Sequence, residues 1–247
     1  MILYFSATGN SKYVARRISE NTHEEMKRIE DCIIENKYRF ADKQIGIISP
    51  TYFWGLPSIV CDFLKKSRFH TDYLYFVATY GTTPGAIGVL ANKAIQNRDI
   101  DAFYSVRMVD TYTPVFNIST KKKQKKFTKN TETEIETIIK CVQERTHNKK
   151  IKHSLPAFLV KRIAQPIYNR KARLTRRLSV NENCIGCGLC EKKCPVQAIQ
   201  IYKGKPIWVK KKCTMCLGCL HRCPKFAIQC GKNTIDHGQY TNPKVKI

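Results

Sequence analysis

Eight of the twelve cysteines stand in two copies of one spacing in the last third of the chain. The first copy comprises Cys184, Cys187, Cys190 and Cys194, and the second comprises Cys213, Cys216, Cys219 and Cys223. In each copy the first three cysteines are separated by two residues, and the fourth follows three residues later, directly before a proline. Three thiolates at this spacing wrap one cubic cluster as a tight turn, while the fourth points away towards a second cluster. The spacing therefore predicts the ligands of two [4Fe–4S] clusters.

Residues 180–232 resemble the two-cluster ferredoxins of bacteria, in which this run of cysteines occurs twice. The resemblance implies crossed ligation, because the fourth cysteine of each copy serves the cluster of the other copy. The implied sets are Cys184, Cys187, Cys190 and Cys223 for one cluster and Cys194, Cys213, Cys216 and Cys219 for the other. Three nearby glycines, Gly186, Gly188 and Gly218, allow the backbone to bend closely around such clusters. We therefore expect a small α+β ferredoxin-like domain that transfers electrons singly.

Two other uses of paired cysteines explain the pattern less well. A structural zinc ion takes four ligands, so two cysteines of each copy would be surplus. Disulfides would require an exported chain, and residues 1–6 lack the basic region with which a signal peptide begins. We therefore expect a protein of the reducing cytoplasm.

The formal charge of +25 is distributed unevenly along the chain. Residues 1–116 carry a net charge of +2, residues 117–182 carry +13, and residues 183–247 carry +10. The chain is 43% hydrophobic, and no apolar run approaches the roughly 18–20 residues of a membrane span. Charge and motifs together predict a first domain at residues 1–150, a basic helical connector at 151–179 and the cluster domain at 180–247.

The first domain alternates apolar runs with helical patterns. The runs cover residues 2–6, 44–49, 73–79 and 102–109, with a further strand near 25–29, and the helical patterns cover 11–21, 58–67 and 85–97. Continuous apolar strands separated by helices are typical of a parallel sheet that is covered on both faces. The last helix of this domain is predicted by Ile135, Ile138, Ile139 and Val142, which repeat at helical spacing.

A candidate anion site lies between the first apolar run and the first helix. Ser6, Thr8 and Ser11 supply hydroxyl groups there, and the backbone amides at a helix N-terminus attract negative charge. The sequence Ser6-Ala7-Thr8-Gly9-Asn10-Ser11 resembles the phosphate loop of flavodoxins. That resemblance implies FMN as the cofactor and a flavodoxin-like, doubly wound parallel α/β sheet with the strand order 2-1-3-4-5.

The flavodoxin resemblance extends to two loops that follow later strands and are expected to flank the flavin ring. The candidate residues are Pro50, Thr51, Tyr52, Phe53, Trp54 and Gly55 in the first loop and Thr79, Tyr80, Gly81, Thr82 and Gly85 in the second. Tyr52, Trp54 and Tyr80 form the favoured set for stacking on the ring. The Trp54–Gly55 peptide is the candidate for turning a carbonyl towards the flavin, because glycine tolerates a backbone flip.

The connector sequence predicts a basic amphipathic helix. Its apolar residues Leu159, Val160, Ile163 and Ile167 fall on one side and are expected to be buried. The cations of the remaining surface are Lys161, Arg162, Arg170, Lys171, Arg173, Arg176 and Arg177. Pro166 is expected to kink or restart the helix.

The order of flavodoxin-like part, basic connector and two-cluster part resembles the EFR1-type ferredoxins over nearly the whole chain. This resemblance implies a flavoprotein that passes electrons between two [4Fe–4S] clusters, FMN and an external redox partner. The alternative is an FMN-dependent reductase, in which the clusters feed electrons to a small molecule at the flavin. No acid–base group stands out in the sequence, so no catalytic side chain is nominated. His221, inside the second cysteine run, is expected to face solvent.

The positive charge favours an acidic redox protein as the partner, because opposite charges steer association. Contact with an anionic membrane surface is a competing interpretation, since residues 170–177 belong to a basic amphipathic segment. Nucleic acid is disfavoured, because no aromatic residues interleave with the lysines of residues 121–126.

Overall fold

The computed structural model describes residues 1–148 and 156–247. The strands of the N-terminal part are β1 (Ile2–Tyr4), β2 (Met26–Arg28), β3 (Arg39–Ala41), β4 (Gln44–Pro50), β5 (Arg68–His70), β6 (Tyr73–Tyr80) and β7 (Ala102–Arg107). Its helices are α1 (Asn10–Thr22), α2 (Ile29–Ile34), α3 (Ser58–Lys66), α4 (Ile87–Ala94), α5 (Lys121–Lys125) and α6 (Thr131–Gln143). The predicted strands and helices all occur, with ends that shift by a few residues.

The central sheet is parallel throughout and has the order β2-β1-β4-β6-β7. Numbered by its own members, this order is 2-1-3-4-5, so the predicted doubly wound fold is confirmed. The strands β3 and β5 were not predicted and form a separate parallel pair. Phe40 and Phe69 stack across that pair with ring centroids 5.8 Å apart, and Phe63 of α3 packs against Phe40.

Helices cover both faces of the sheet, and each face has its own apolar core. On one face, Leu3, Ile47 and Phe76 pack with residues of α3 and α4. On the other face, Ile2, Ile48 and Tyr75 pack with residues of α1 and α6. The predicted stripe of α6 is buried, as its residues Ile135 and Val142 show with 0% exposure. Burial on both faces explains why the strands are apolar runs without alternation.

The C-terminal part is built from two short antiparallel pairs. Strand β8 (Leu178–Val180) pairs with β11 (Ile228–Cys230), and β9 (Ile199–Tyr202) forms a hairpin with β10 (Lys205–Trp208). Two four-residue helices, Leu189–Lys192 and Gly218–His221, carry the third cysteine of each run, and Thr234–His237 forms another short helix. This is the small α+β domain that the ferredoxin resemblance implies.

A continuous helix at residues 157–172 connects the two parts. Its α-helical turns alternate with wider π-helical turns at Val160–Ala164 and Tyr168–Ala172, and Pro166 lies between these two segments. The buried residues are Val160, Ala164, Tyr168 and Ala172. The prediction for Leu159, Ile163 and Ile167 is therefore wrong, because these side chains are 40%, 56% and 45% exposed. Both rows repeat every four residues, and the structure buries the row that contains the small alanines and Tyr168.

The predicted domain boundary between residues 150 and 151 lies outside the described residues, and the boundary between 179 and 180 falls within β8. Within residues 1–148 and 156–247, no helix combines the length and the apolar character that crossing a membrane requires.

Candidate functional site

A cavity of about 310 Å³ opens where β1, β4, β6 and β7 end. All the predicted flavin residues line it except Gly9, Gly55 and Gly85. Two further walls were not predicted. One is the loop after β7, residues 108–116, and the other combines Tyr168 of the connector helix with Met215, Cys216 and Leu217 of the C-terminal part. The first wall follows the carboxyl end of a strand, where a ligand site is expected, whereas the second wall has no sequence signal because it depends on how the two parts of the chain pack together.

The predicted phosphate loop forms an uncapped helix N-terminus. Gly9 precedes α1 with φ 95°, a left-handed conformation that favours glycine, and no side chain accepts a hydrogen bond at this N-cap. The Ser11 hydroxyl lies 2.8 Å from the Thr79 hydroxyl, which ties the loop to the end of β6. The first-turn amides of α1 therefore have no side-chain acceptor in the described part of the chain and suit an anion such as a phosphate.

Asn10 braces the phosphate loop through its side chain. Its Nδ2 donates to the Val109 carbonyl at 3.1 Å, and its Oδ1 accepts from the Tyr240 hydroxyl at 3.2 Å and from Asn242 Nδ2 at 3.1 Å. The Thr8 carbonyl also accepts from the Asn242 backbone N–H at 2.8 Å. The phosphate loop is thus completed by residues from the far end of the sequence.

The cavity contains a buried polar atom that fits a bound flavin. Thr51 Oγ1 is buried against the cavity and has no hydrogen-bond partner among the described residues. A buried hydroxyl without a partner is costly, and a polar ligand group in the cavity would satisfy it. Together with the uncapped helix end and the aromatic walls, this fits the flavin that the sequence predicts.

The first ring-flanking loop is a tight turn with two strained residues. Tyr52 and Gly55 exchange both backbone hydrogen bonds, at 2.9 and 3.0 Å. Between them, Phe53 and Trp54 have φ values of 47° and 60°. A residue other than glycine adopts this left-handed backbone conformation at a cost of about 1–2 kcal/mol. The strain lies at Phe53 and Trp54 and not at Gly55. The Trp54 carbonyl, the predicted flavin-facing group, accepts from the Ala86 N–H at 2.9 Å in this structure.

Aromatic side chains from three segments meet at the cavity. Phe53 packs against Tyr112 and Tyr168, with ring centroids 5.4 and 5.5 Å apart. Tyr52 contacts Tyr168 edge-on at 6.4 Å, whereas Trp54 is 41% exposed at the rim of the cavity. Tyr168 holds this cluster in place, because its hydroxyl donates to the Thr214 carbonyl at 2.7 Å.

The loop after β7 is held by two histidines of the C-terminal part. His221 Nε2 lies 2.8 Å from the Thr111 carbonyl, and His237 Nδ1 lies 2.6 Å from the Thr113 carbonyl. Because His221 Nδ1 accepts from the Tyr240 N–H at 3.2 Å, the proton of the neutral ring is on Nε2. The expectation that His221 faces solvent is wrong, since the ring is buried and burial lowers its pKa to about 4.

Replacing His221 by phenylalanine will therefore loosen this wall of the cavity. The Thr111 carbonyl and the Tyr240 N–H lose their partners, which costs about 1–3 kcal/mol for each buried group left unsatisfied. We expect a lower melting temperature and weaker flavin binding, measured by thermal unfolding and flavin fluorescence titration. The matched control is His70→Phe, an exposed position at the end of β5, and equal effects of the two substitutions would contradict the assigned role.

The eight predicted ligand cysteines form two groups. One small cavity is lined by Cys184, Cys187, Cys190 and Cys223, and another is lined by Cys194, Cys213, Cys216 and Cys219. We call these the outer group and the inner group. Each contains the fourth cysteine of the other run, which is the crossed arrangement that the ferredoxin resemblance implies. Backbone N–H groups of Met215, Ala198 and Ala227 donate to the sulfurs of Cys213, Cys194 and Cys223 at 3.2 Å each.

The inner group is partly buried, and burial raises the pKa of three of its thiols, those of Cys213, Cys216 and Cys219. Burial raises the pKa of Cys213 to about 11 and that of Cys216 to about 12. Coordination to iron supplies the positive charge that holds such sulfurs as thiolates. In the part of the chain that the structure describes, no group of three or more His, Cys, Asp or Glu side chains is arranged to hold a single metal ion.

The inner group and the flavin cavity are neighbours. Met215, Cys216 and Leu217 line both the flavin cavity and the inner cysteine cavity. The same region touches the phosphate loop, because Arg222 donates to the Ser6 carbonyl at 3.2 Å. The structure therefore joins the two candidate cofactor sites through one short segment of the chain.

Comparison with known proteins identifies the family. Residues 1–138 match the family model of the flavodoxin domain, and residues 183–228 match that of the 4Fe-4S dicluster domain. Because the first match covers more than half of the sequence, the chain belongs to the flavodoxin family. It joins this domain to an iron–sulfur domain of the ferredoxin type and is an iron–sulfur flavoprotein of electron transfer. No curated protein matches the chain.

Three solved structures are similar to part of the chain. Rubredoxin oxygen:oxidoreductase from the anaerobe Desulfovibrio gigas shares 14% identity over 58% of this chain, with a TM-score of 0.34, and the match spans 36% of that protein. The Trp repressor binding protein from Bacillus subtilis shares 9% identity over 60% of this chain and 98% of its own, with a TM-score of 0.34. A flavodoxin from the domain Archaea shares 12% identity over 59% of this chain and 97% of its own, with a TM-score of 0.29.

Proposed function

We propose that the chain is an electron carrier in which FMN and two [4Fe–4S] clusters form one relay. The observation that carries this proposal is the wall formed by Met215, Cys216 and Leu217, which the flavin cavity shares with the inner cysteine group. When bound, the clusters carry single electrons and FMN exchanges one or two, so the protein connects one-electron and two-electron partners. The chain's own part is to hold the two sites against each other and to keep water from the segment between them.

The outer group is the candidate site at which an external redox protein docks and exchanges electrons. Among the described residues, its cysteines do not line the flavin cavity. Its loop is open to solvent, since Cys187 is exposed and the side chain of Ile185 is 61% exposed. Electrons would therefore enter or leave at the outer group and reach the flavin through the inner group.

The surface around the outer group suits an acidic partner. A Cβ atom on Gly186 would lie 2.7 Å from the Gly204 carbonyl, so the cysteine loop packs directly against the turn of the β9–β10 hairpin. Lys203 and Lys205, on either side of Gly204, are exposed, and the exposed Lys225 lines the outer cavity. Positive charge on this docking surface would steer an acidic ferredoxin or flavodoxin to the outer group.

One observation favours the second candidate, an FMN-dependent reductase of a small molecule. Asp110 lines the flavin cavity, and burial raises the pKa of its carboxyl group. Its oxygens accept from the Tyr112 N–H at 3.0 Å and from the Thr82 hydroxyl at 3.3 Å. A carboxyl group in this position would deliver a proton to a substrate, which a pure electron carrier does not need.

The segment order also supports a narrower classification. A flavodoxin domain, a basic connector helix and a dicluster domain follow one another, as in the EFR1-type ferredoxins, and we assign the chain to that group. Free thiols that load iron require a reducing compartment, for which we propose the cytoplasm.

Anaerobic mixing of the cofactor-loaded chain with a reduced acidic ferredoxin tests the carrier function. We expect rapid reduction of the flavin, at a rate that falls by about tenfold or more between low and high ionic strength. Lys203→Gln combined with Lys205→Gln should slow the reaction at low ionic strength. The matched control, Lys121→Gln combined with Lys122→Gln on α5, removes the same charge and should have little effect.

Two results would redirect the proposal. If the rate of flavin reduction changes neither with ionic strength nor with the Lys203 and Lys205 substitutions, docking at the outer group is excluded. Turnover of a quinone or nitro compound that depends on Asp110, without reduction by any protein partner, would instead establish the reductase.

A further inference from the structure

The connector helix carries an apolar row that no part of the described chain covers. Leu159, Ile163 and Ile167 follow one another at intervals of four residues and are 40%, 56% and 45% exposed. Phe158 at the start of the helix is 61% exposed. We call these four side chains the outer row. Large aliphatic and aromatic side chains exposed side by side mark an interaction surface, whereas single exposed ones do not.

The opposite side of the same helix is already used. Val160 and Ala164 pack against Ala86 and Leu90, at the start of α4. Farther along the helix, the Tyr168 ring lines the flavin cavity. Because this buried row holds the helix to the protein, the outer row is free to contact something else without disturbing the fold.

The charge around the outer row is positive throughout. Residues 156–181 contain seven lysines and arginines and no aspartate or glutamate. Lys161, Arg162, Arg170 and Lys171 are exposed on this helix, and none of them takes part in an ion pair with the described residues. The occupant of this surface must therefore offer negative charge together with an apolar layer.

We propose that the outer row docks the protein on an anionic phospholipid surface. A helix of this kind lies in the plane of the membrane, with its apolar side chains at the acyl boundary and its cations among the headgroups. A second copy of the chain fits less well, because a two-fold contact would bring the two arginine-rich faces together. A single exposed helix also presents a convex ridge, which a bilayer accepts without a matching groove.

Vesicle sedimentation with the cofactor-loaded chain, under anaerobic conditions, tests the proposal. We expect binding to vesicles that contain phosphatidylglycerol or phosphatidylserine and little binding to vesicles of phosphatidylcholine alone. Ile163→Ser combined with Ile167→Ser should weaken binding by about tenfold or more, because it removes apolar groups that enter the acyl boundary. Both positions are exposed, so these substitutions should leave the folded protein and its cofactor content unchanged.

Matched controls separate the outer row from general attraction by charge. Ile34→Ser combined with Ile235→Ser removes two exposed isoleucines elsewhere, which are 74% and 57% exposed, and should not change binding. Arg162→Gln combined with Arg170→Gln should weaken binding by about tenfold. The equal charge loss on α5, Lys121→Gln combined with Lys122→Gln, should weaken it far less.

Three results would overturn the proposal. The first is an absence of binding to anionic vesicles. The second is an equal loss of binding in the connector variants and their controls, which would show that net charge alone acts. The third is a direct complex with an acidic protein that the Ile163 and Ile167 substitutions abolish while vesicle binding is unaffected. None of these assays measures electron transfer. A negative result would therefore exclude membrane docking without contradicting the proposed carrier function, which the ferredoxin assay tests separately.

Discussion

Replacing Cys216 by serine will remove about half of the iron from the anaerobically purified protein and leave the flavin bound. Two cubane clusters correspond to about eight iron atoms per chain, and loss of the inner one leaves about four. The outer group keeps Cys184, Cys187, Cys190 and Cys223, so its cluster should survive. Because the inner group adjoins the flavin cavity, we expect flavin reduction by a reduced ferredoxin to slow by at least about a hundredfold. Iron and sulfide analysis, the absorption spectrum and anaerobic stopped-flow kinetics measure these effects.

The comparison with two other cysteine substitutions makes this experiment specific. Cys61→Ser, in α3 and outside both groups, should retain all of the iron and the full rate. Cys187→Ser should lose the outer cluster instead and keep a cluster next to the flavin. Fast flavin reduction in the Cys216 variant would mean that the partner reduces the flavin directly, and the relay through the inner group would be wrong.

Replacing Thr8 by aspartate will abolish tight binding of FMN without unfolding the sheet. Thr8 lines the flavin cavity in the loop just before α1, where the phosphate is expected. A carboxylate there repels the phosphate at a cost of several kcal/mol, which corresponds to a loss of affinity of at least about a hundredfold. Flavin fluorescence titration of the flavin-free protein measures the affinity, and circular dichroism reports the fold.

Riboflavin makes this test independent of general damage. It lacks the phosphate, so the Thr8→Asp variant should lose much less of its affinity for riboflavin than for FMN. Thr8→Ser keeps the hydroxyl group and should bind FMN nearly as well as the unaltered chain. Thr133→Asp, an exposed position on α6, introduces the same charge away from the cavity and should have no effect. An equal loss of both ligands would show that residues 6–11 do not hold the phosphate.

The sequence predicts those features that depend on short stretches of chain. Apolar runs such as residues 73–79 predict buried parallel strands because both faces of the sheet are covered. The cysteine spacing predicts the two crossed groups, since three of the four residues in each group are close neighbours in sequence. The Ser6–Ser11 pattern likewise predicts a loop between the first strand and the first helix, which the structure has between β1 and α1.

The contacts between the N-terminal and C-terminal parts of the chain could not be predicted. His221 is buried only because the loop after β7 and Tyr240 enclose it, and no local pattern indicates these partners. The connector helix has two apolar rows with the same spacing, so periodicity alone cannot tell which row is buried. Residue size favours Leu159, Ile163 and Ile167. The structure instead buries the other row, in which Ala164 packs near α4 and Ala172 packs with the C-terminal part. The left-handed backbone of Phe53 and Trp54 also could not be predicted, because aromatic residues carry no sequence signal for a positive φ.

The brace on Asn10 has a consequence for how the protein matures. Asn10 and Tyr240, which share a hydrogen bond, are 230 positions apart in sequence. A ribosome therefore completes the whole sheet long before it makes the residues that steady the phosphate loop. Flavin loading should accordingly follow the folding of the iron–sulfur part, which makes the two halves of the chain successive stages of one assembly and not interchangeable modules.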